Sequence, residues 1–316
     1  MKVLITGGFG YIGGRLAHFL KAKQVDVYIC SRNKNLSPSW SNNFQNTEIN
    51  WHSEASILEV CRGKDIVIHL ASLNAQKSER DPSEAHAVNC LNSDKLLNSA
   101  ISNKVKKIIY LSTIHVYGSP LKSNLLENSI LNPIHPYAKS HYDAEQLFVK
   151  AHKNKLIESN IVRLSNSFGA PQNFEVDCWS LVINNFCLQA AKTNEIKINS
   201  TINTLRDFIP MTDTCEAIFL LMNHKISYDE SCIFNVGGNW RKTILQIAYL
   251  IKERYYVTQN KNIEVFYKKN LIEQSDSFDF NLDKIVNKGF NTSDKKKISE
   301  EIDSLIAFCI KHSTSL

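Results

Sequence analysis

The sequence contains no run of apolar residues long enough to cross a membrane. Its longest uncharged stretch that leans apolar, residues 178–191, includes Asn184, Asn185 and Gln189 and falls short of the about 20 residues that a spanning helix needs. Only three apolar residues follow Lys2 before the first polar residue, which is too few for a secretion signal. We therefore expect no membrane partner and no cleaved leader.

The eight cysteines form no C-x-x-C pair and no cluster with the spacing of metal ligands. Several lie inside apolar runs, such as Cys187 after Phe186, where a free thiol behaves as a small hydrophobic group. This usage is typical of a reducing compartment, so we expect a cytoplasmic protein without a bound metal. The chain also lacks internal repeats and low-complexity tracts.

A large excess of either charge is also absent. The net charge is +6, spread along 316 residues, and the densest basic run, Lys295–Lys297, is expected on a solvated helix face. We therefore expect no nucleic-acid partner, although a mild positive bias suits an anionic small substrate.

Glycine is scarce, with 11 residues, yet four of the glycines fall within the first 13 positions. The apolar run Lys2–Thr6 predicts a buried parallel strand, and the amphipathic segment Tyr11–Leu20 predicts a helix. Between them the spacing is Gly7-x-x-Gly10-x-x-Gly13. A strand that turns through glycines into a helix leaves free backbone N–H groups at a positive helix end, which is a binding site for the pyrophosphate of a dinucleotide.

Strand-like and helix-like segments alternate over the first half of the chain. With Lys2–Thr6, the predicted strands are Val25–Cys30, Thr47–Trp51, Ile66–Leu70, Lys107–Ser112 and Asn160–Leu164. The predicted helices between them are Ser53–Cys61, Pro82–Ala100 and Pro136–His152. Near-continuous apolar strands alternating with helices predict a Rossmann-type α/β fold, a doubly wound parallel sheet with both faces covered. Ligands bind such sheets at the carboxyl ends of the strands.

The second half of the chain has a looser pattern. It predicts helices at Glu175–Lys192, from Asp213 and at Ser299–Lys311, and strands at Ile196–Asn199, Cys232–Val236 and Ile263–Phe266. We expect a dinucleotide-binding domain over residues 1–165 and a smaller α/β substrate domain over 166–316. Segments near 206–238 are candidates for returning to the first domain.

Three side chains have the pattern of a proton-transfer site. Thr113 follows the fifth predicted strand, and Tyr137 and His141 lie one turn apart on a predicted helix, so that they share a face. A phenol, a basic partner and a nearby hydroxyl can together move a proton. Lys139 is expected to point elsewhere.

Several motifs, in order, resemble those of extended short-chain dehydrogenases/reductases of the nucleotide-sugar epimerase/dehydratase type. The likeness covers nearly the whole chain. The matching segments are Thr6–Gly13 (T-G-x-x-G-x-x-G), Asp65–Ala71 (D-x-V-I-H-L-A), Ser112–Gly118 (S-[ST]-x-x-V-Y-G), Arg163–Gly169 (R-x-x-N-x-x-G), Arg206–Asp213 (R-D-[FY]-I-x-x-x-D) and Phe234–Gly237 ([FY]-N-V-G).

The resemblance implies roles for individual residues. The implied catalytic residues are Thr113, Tyr137 and His141. The implied cofactor-binding residues are Gly7, Gly10, Tyr11, Ile12, Gly13, Ser31, Arg32, Leu70, Ala71, Asn89, Tyr137 and His141. The implied substrate-binding residues are Ser72, Thr113, Asn166 and Arg206, of which Asn166 and Arg206 would contact the diphosphate.

The chain departs from the family pattern at the catalytic pair. The family has a lysine four residues after the tyrosine, where it holds the nicotinamide ribose and lowers the pKa of the tyrosine. His141 stands at that position. An unperturbed histidine, with a pKa of about 6.5, is mostly neutral at neutral pH and would lower the pKa of Tyr137 much less. Two interpretations follow: a working site retuned to histidine, whose activity would follow one ionisation, or a non-catalytic dinucleotide sensor or scaffold.

A second departure follows the second strand. Enzymes that bind NAD usually place an acid about 20 residues after the glycines. Ser31 and Arg32 occupy this region, and a hydroxyl with a guanidinium suits a 2′-phosphate better than two free hydroxyls. The cofactor is therefore expected to be NAD or NADP, with Arg32 favouring NADP; the alternative is a surface loop without cofactor contact.

Two further departures concern the substrate. Relatives often have an arginine near residue 275 that grips the substrate phosphates, whereas Glu273–Asp276 contains none. Ile114 and His115 replace the Asp-Glu that sugar 4,6-dehydratases use for elimination. This argues against dehydratase chemistry and leaves His115 as a substrate contact or as polar packing.

The expected function is hydride transfer at C4 of a nucleotide-activated sugar. An epimerase, which retains its cofactor, and an NADPH-dependent 4-keto-sugar reductase, which releases it, both fit the residues. By resemblance alone we also expect a homodimer, built on Pro82–Ala100 and Pro136–His152. The apolar positions of these helices are equally explained by packing on the sheet.

Overall fold

A parallel sheet forms the centre of the molecule. The structure, a computed structural model, describes residues 1–33, 37–119, 121–268 and 277–313. The strands in these residues are β1 (Lys2–Thr6), β2 (Asp26–Ser31), β3 (Gln45–Glu48), β4 (Ile66–His69), β5 (Lys107–Thr113), β6 (Ser123–Leu125), β7 (Glu158–Leu164), β8 (Asn166–Phe168), β9 (Glu195–Ile198), β10 (Leu205–Pro210), β11 (Ile233–Val236), β12 (Arg241–Thr243), β13 (Glu264–Tyr267) and β14 (Phe278–Phe280). Seven of them form the main sheet in the order β11-β7-β5-β4-β1-β2-β3, with every neighbouring pair parallel.

Helices cover the main sheet and build the second half of the chain. They are α1 (Tyr11–Ala22), α2 (Glu54–Cys61), α3 (Ala75–Arg80), α4 (Pro82–His86), α5 (Asn92–Ser102), α6 (Pro136–Lys153), α7 (Val182–Thr193), α8 (Met211–Asn223), α9 (Ile244–Gln259), α10 (Asp283–Val286) and α11 (Lys295–Ser313). Short 3₁₀ turns lie at Ser39–Asn43 and Ile114–Tyr117, and a π turn lies at Ala87–Leu91.

The predicted fold class is confirmed. The six strands expected from the first half are all present, and β3-β2-β1-β4-β5-β7 is the strand order of a dinucleotide-binding doubly wound sheet. β11 adds a seventh strand beside β7, so a segment near residue 235 returns to the first sheet. The carboxyl ends of β1, β4 and β5 therefore meet at one edge.

Two predicted helices differ from the structure. The segment 82–100 begins as expected, with Asp81 accepting the N–H of Glu84 (2.9 Å), but a π turn divides it into α4 and α5. The segment 175–192 becomes helical only at Val182. Residues 175–181 instead form turns that are closed by backbone hydrogen bonds, such as that from the Leu181 N–H to the Cys178 carbonyl (3.2 Å).

A second apolar core lies apart from that of the main sheet. It packs α7, α9 and α11 around side chains such as Phe186, Ile247 and Ile302. The smaller sheets β12-β10-β8 and β13-β9 contribute side chains to it, whereas the side chains of the sheet β14-β6 pack in the core of the main sheet. β8 begins two residues after the carboxyl end of β7 and pairs in parallel with β10, so this small sheet starts at the carboxyl edge of the main sheet.

A buried ion pair lies beneath that edge. Arg163, in β7, is 1% exposed and contacts the Glu145 carboxylate of α6 at 2.7 Å. Ser112 donates to the same carboxylate, and Arg163 also donates to the Tyr117 hydroxyl (2.9 Å), which donates to Asn235 (2.6 Å). Removing one partner of such a buried ion pair leaves an uncompensated charge, which strongly destabilises the fold.

A chain of buried hydrogen bonds joins β1, β4 and α5. The Ser93 hydroxyl donates to the Asn89 carbonyl (2.6 Å), so it must accept the hydrogen on Nε2 of His69 (2.8 Å). Nδ1 of His69 is then bare and accepts from the Thr6 hydroxyl (2.7 Å). The Thr6 oxygen in turn accepts the N–H of Leu70 (3.2 Å).

Two histidines are held neutral in this part of the core. Burial lowers the pKa of His69 to about 3, and it also lowers the pKa of His141 to about 3, with His69 and His115 adding to the second shift. Both side chains are 1% exposed.

We predict that acid destabilises the fold through these two groups. In the unfolded chain the two histidines bind protons below a pH of about 6.5, whereas in the folded chain they stay neutral down to about pH 3. The free energy of unfolding is therefore at its full value above pH 6.5 and falls as the pH drops below it. Each histidine should contribute about 1.4 kcal/mol per pH unit to the slope of the unfolding free energy below pH 6.

Urea unfolding between pH 5 and pH 7.5 measures this slope. His69→Gln and His141→Gln should each reduce it by close to one proton, whatever they do to stability at pH 7.5. The exposed His52 provides the matched control, because His52→Gln should keep the wild-type slope. Variants at 69 and 141 with the wild-type slope would contradict the assignment.

Candidate active site

The glycine turn brings β1, α1 and the end of β4 into close contact. Gly7 has φ +65°, and a Cβ there would lie 2.9 Å from the backbone of Ala71. A Cβ on Gly13 would lie 2.4 Å from the Gly7 carbonyl oxygen. Only residues without a side chain allow this approach, and the turn predicted from the glycine spacing is present.

The first turn of α1 presents backbone N–H groups at this edge. Gly10 is the N-cap and provides no side-chain cap, so the N–H groups of Tyr11, Ile12 and Gly13 lie at an uncapped helix start. This geometry fits a pyrophosphate. The Tyr11 side chain turns away, since its hydroxyl donates to the Gly169 carbonyl (2.9 Å), so Tyr11 can serve an anion only through its backbone.

The segment after β4 lies beside the glycine turn. The N–H groups of Leu70 and Ala71 donate to the Thr6 hydroxyl at 3.2 and 3.3 Å. Ser72, the next residue, is exposed. The hydrogen bonds of Thr6 therefore hold Leu70 and Ala71, and Ser72 follows them directly in the chain.

Asn89 holds this segment from below. Its Oδ1 accepts the Leu73 N–H (2.7 Å), its Nδ2 donates to the Ser140 hydroxyl (3.0 Å), and the side chain is 1% exposed. The side chain therefore links the end of β4 to α6. A contact between Asn89 and a cofactor stays a prediction.

Thr113 and Tyr137 meet where β5 ends and α6 begins. Burial raises the pKa of Tyr137 to about 12, and a hydrogen bond with Thr113 opposes this shift. α6 starts at this point because Pro136 occupies its first turn and Nδ1 of His135 accepts the Tyr137 N–H (3.2 Å). Tyr137 is thus protonated at neutral pH.

His141 lies one turn further along α6, as predicted. Its ring packs edge-to-face on Tyr137, with centroids 4.5 Å apart, and its Nδ1 is 2.8 Å from the hydroxyl of Tyr110. Nε2 is buried and has no hydrogen-bond partner among the described residues. Because burial lowers its pKa to about 3, the ring is uncharged at neutral pH. Lys139 is exposed, as expected.

His115 and Arg206 lie on the other side of Tyr137. The rings of His115 and Tyr137 are 6.5 Å apart. Burial lowers the pKa of His115 to about 4, and the nearby Arg206 and His135 act in the same direction. Burial also lowers the pKa of Arg206, which has neither a hydrogen bond nor an ion pair with any residue in the described ranges. A half-buried guanidinium without a carboxylate partner is suited to an anionic ligand.

Asn166, in β8, lies across from Phe208 of the adjacent strand β10, two residues from Arg206. β8 and β10 pair in parallel, and Nδ2 of Asn166 donates to the Asp207 carbonyl at 2.8 Å. Its Oδ1 and second amide hydrogen are left for a ligand. Arg163, from the same predicted motif, is buried in its pair with Glu145 and does not reach this surface.

The remaining predicted residues lie at the end of β2 or beyond the described ranges. Ser31 ends β2 and is half-buried, and Arg32 is exposed. Glu273–Asp276 lies outside the described residues. Within the described ranges no group of three or more His, Cys, Asp or Glu side chains could hold a metal, and no helix is both long and apolar enough to cross a membrane.

Sequence reasoning did not identify Tyr110, which contacts His141 from inside β5. A tyrosine in an apolar strand gives the signal of a core residue, so the strand pattern alone could not separate it from its neighbours. His135 was also missed, although its position directly before Pro136 is a helix N-cap signal.

Known proteins resemble the chain in both sequence and structure. It is 28% identical over 273 residues to the dTDP-D-glucose 4,6-dehydratase of Dictyostelium discoideum, an alignment that covers 78% of the chain and 60% of that protein. It is 29% identical over 262 residues to a putative UDP-glucose 4-epimerase of Methanocaldococcus jannaschii, covering 79% of the chain and 81% of that protein. The structure of UDP-glucose 4-epimerase from Thermotoga maritima with UDP-glucose superposes with a TM-score of 0.81 at 22% identity, covering 98% and 99% of the two chains.

The model of the NAD dependent epimerase/dehydratase family matches residues 3–237, which include the glycine turn, Thr113, Tyr137 and Arg206. The chain therefore belongs to this enzyme family, among the extended short-chain dehydrogenases/reductases.

Proposed function

We propose that the chain transfers a hydride reversibly at C4 of a nucleotide-activated sugar, in an NAD(P)-dependent epimerisation. The observation that carries this proposal is that Thr113, which acts to lower the pKa of Tyr137, and the ring of His141, 4.5 Å away, both adjoin Tyr137 at the carboxyl edge of the sheet that also holds the glycine turn. Family membership supports it, because the relatives compared above are named for reactions of nucleotide-activated sugars.

The residues present fit a nicotinamide dinucleotide. Gly7, Gly10 and Gly13 leave a cradle that a Cβ would fill, and the uncapped start of α1 suits the pyrophosphate. The orphaned Nε2 of His141 would gain a partner in a ribose hydroxyl. When bound, the nicotinamide accepts or donates the hydride.

Tyr137 is the acid and base of the proposed reaction. Its hydroxyl gives a proton to the sugar oxygen during reduction and takes it back during oxidation, while Thr113 hydrogen-bonds the same oxygen. The neutral His141 orients the ribose and leaves the pKa of Tyr137 high.

Arg206 and Asn166 bind the diphosphate of the substrate in this proposal. Arg206 supplies an unpartnered positive charge, and Asn166 beside it supplies one free amide hydrogen. Ser72, exposed after β4, contacts the sugar. Because Arg206 has no ion pair among the described residues, the diphosphate can bind without breaking an existing ion pair.

A second candidate function is an NADPH-dependent reductase of a 4-keto-sugar. Arg32 is exposed at the end of β2 and suits a 2′-phosphate, which favours NADP. Tyr137 is protonated at neutral pH and therefore ready to donate. Both observations suit a cofactor that is consumed and released at each turnover.

Tyr137→Phe tests the catalytic assignment. Removing the hydroxyl should lower turnover about 100- to 10,000-fold, as expected for a lost general acid and base, and leave dinucleotide affinity nearly unchanged. Turnover is measured with a panel of UDP-, dTDP- and GDP-hexoses and their 4-keto forms. Tyr142→Phe, on the same helix, is the matched control and should retain activity. Equal activity in the two variants would contradict the proposal and favour a non-catalytic sensor.

Gly13→Ala tests the cofactor turn. The added Cβ would lie 2.4 Å from the Gly7 carbonyl, so the turn must open, at a cost of about 1–3 kcal/mol in stability. An opened turn no longer directs its backbone N–H groups at the pyrophosphate. We expect the affinity for NAD(H) and NADP(H), measured by titration, to fall at least tenfold, which corresponds to a loss of about 1.4 kcal/mol in binding free energy.

Gly14→Ala is the control for that variant. The nearest atoms to its Cβ belong to the side chains of Gln172 and Trp40, at 3.2 Å, and those side chains can shift. It should keep its cofactor affinity, and alanine should offset part of any strain through its higher helix propensity. A Gly13→Ala protein that binds dinucleotide as tightly as Gly14→Ala would disprove the assigned turn.

The dinucleotide released from the purified, denatured protein separates the two candidate functions. Chromatography that finds NAD(H) in near-equal ratio to protein would mean a retained cofactor, hence an epimerase, and would dismiss the interpretation of Arg32. A protein that emerges empty and then binds NADPH would be a reductase.

A further inference from the structure

Tyr110 and His141 form an isolated buried pair. The Tyr110 hydroxyl lies 2.8 Å from Nδ1 of His141, and both side chains are at most 2% exposed. The Tyr110 ring stacks on Phe148, with centroids 4.6 Å apart, which fixes the direction of its hydroxyl. No second hydrogen bond to this hydroxyl exists within the described ranges.

The donor of this hydrogen bond follows from counting unpaired groups. If Nδ1–H of His141 donated to Tyr110, the tyrosine hydrogen and the bare Nε2 would both be buried without a partner. If Tyr110 donates to Nδ1, only Nε2–H lacks a partner. The second arrangement leaves fewer buried polar groups unsatisfied, and each such group is costly.

We propose that Tyr110 is a positioning residue that holds His141 as the Nε2–H tautomer. The neutral pair then presents one hydrogen-bond donor next to Tyr137, where relatives present a charged lysine. Its use on a ribose hydroxyl rests on the proposed function, whereas the tautomer itself does not. The position of Tyr110 inside β5 ties the orientation of His141 to the central sheet.

The tautomer is measured directly in the protein without cofactor. Long-range ¹H–¹⁵N spectra of histidine-labelled protein distinguish protonated from bare ring nitrogens, and His141→Gln identifies the signals of His141 by their loss. We expect a bare Nδ1 and a protonated Nε2 in the wild type. Tyr110→Phe, which keeps the stacked ring, should give a mixture of tautomers.

Tyr255→Phe is the matched control, because Tyr255 is also buried, at 4% exposure, but lies in α9 of the second core. It should leave the signals of His141 unchanged. A protonated Nδ1 in the wild type, or an unchanged tautomer in Tyr110→Phe, would overturn the inference.

A double-mutant cycle tests the use of the donor. Tyr110→Phe should weaken dinucleotide binding about five- to tenfold, the range of one lost hydrogen bond. In a His141→Lys background the same change should have little effect, because lysine has no tautomer to set. Equal losses in both backgrounds would overturn the positioning role. A wild type that binds no dinucleotide at all would instead reject the proposed function and leave the spectra to decide the tautomer.

Discussion

One chain of buried hydrogen bonds links the glycine turn to α6, the helix that carries Tyr137 and His141. It begins at Thr6, which receives the backbone N–H groups after β4, and passes through His69 to Ser93. Ser93 donates to the carbonyl of Asn89, whose side-chain amide donates to Ser140 in α6. Because each donor and acceptor in this chain has one role, the distance between the cofactor turn and Tyr137 is fixed by directional bonds rather than by packing alone.

This constraint explains why some motif residues lie below the site rather than in it. Both the oxygen and the nitrogen of the Asn89 side-chain amide are hydrogen-bonded within the protein, and Arg163 is buried in its ion pair with Glu145. Tyr117 and Asn235 connect that ion pair to β11. A motif match therefore identified residues that the site requires, but it could not distinguish contact with a ligand from support of the elements around it.

The sequence was informative where a local pattern determines local structure. The strand–glycine–helix order predicted the turn at Gly7–Gly13, and the spacing of Tyr137 and His141 predicted a shared helix face. It was silent where contacts join distant segments. Tyr110 and His141 are 31 residues apart, and no periodicity marks one tyrosine of a strand as a hydrogen-bond donor. The π turn in 87–91, which contains the buried Asn89, is likewise not marked in the sequence, because the helical pattern runs through it.

The neutral His141 leaves the surroundings of Tyr137 without a positive charge at that position of α6. Because burial raises the pKa of Tyr137 to about 12, the tyrosine is almost entirely protonated at pH 7. Arg206 is close enough to His115 to lower the pKa of that histidine. In the proposed complex its charge binds the diphosphate of the substrate. Donation of a proton uses the abundant form of Tyr137, whereas abstraction must first populate the rare one. In the proposed reaction a neutral His141 therefore leaves Tyr137 in the form that donates a proton in the reductive step, whereas the oxidative step, which an epimerisation also needs, starts from the rare deprotonated form.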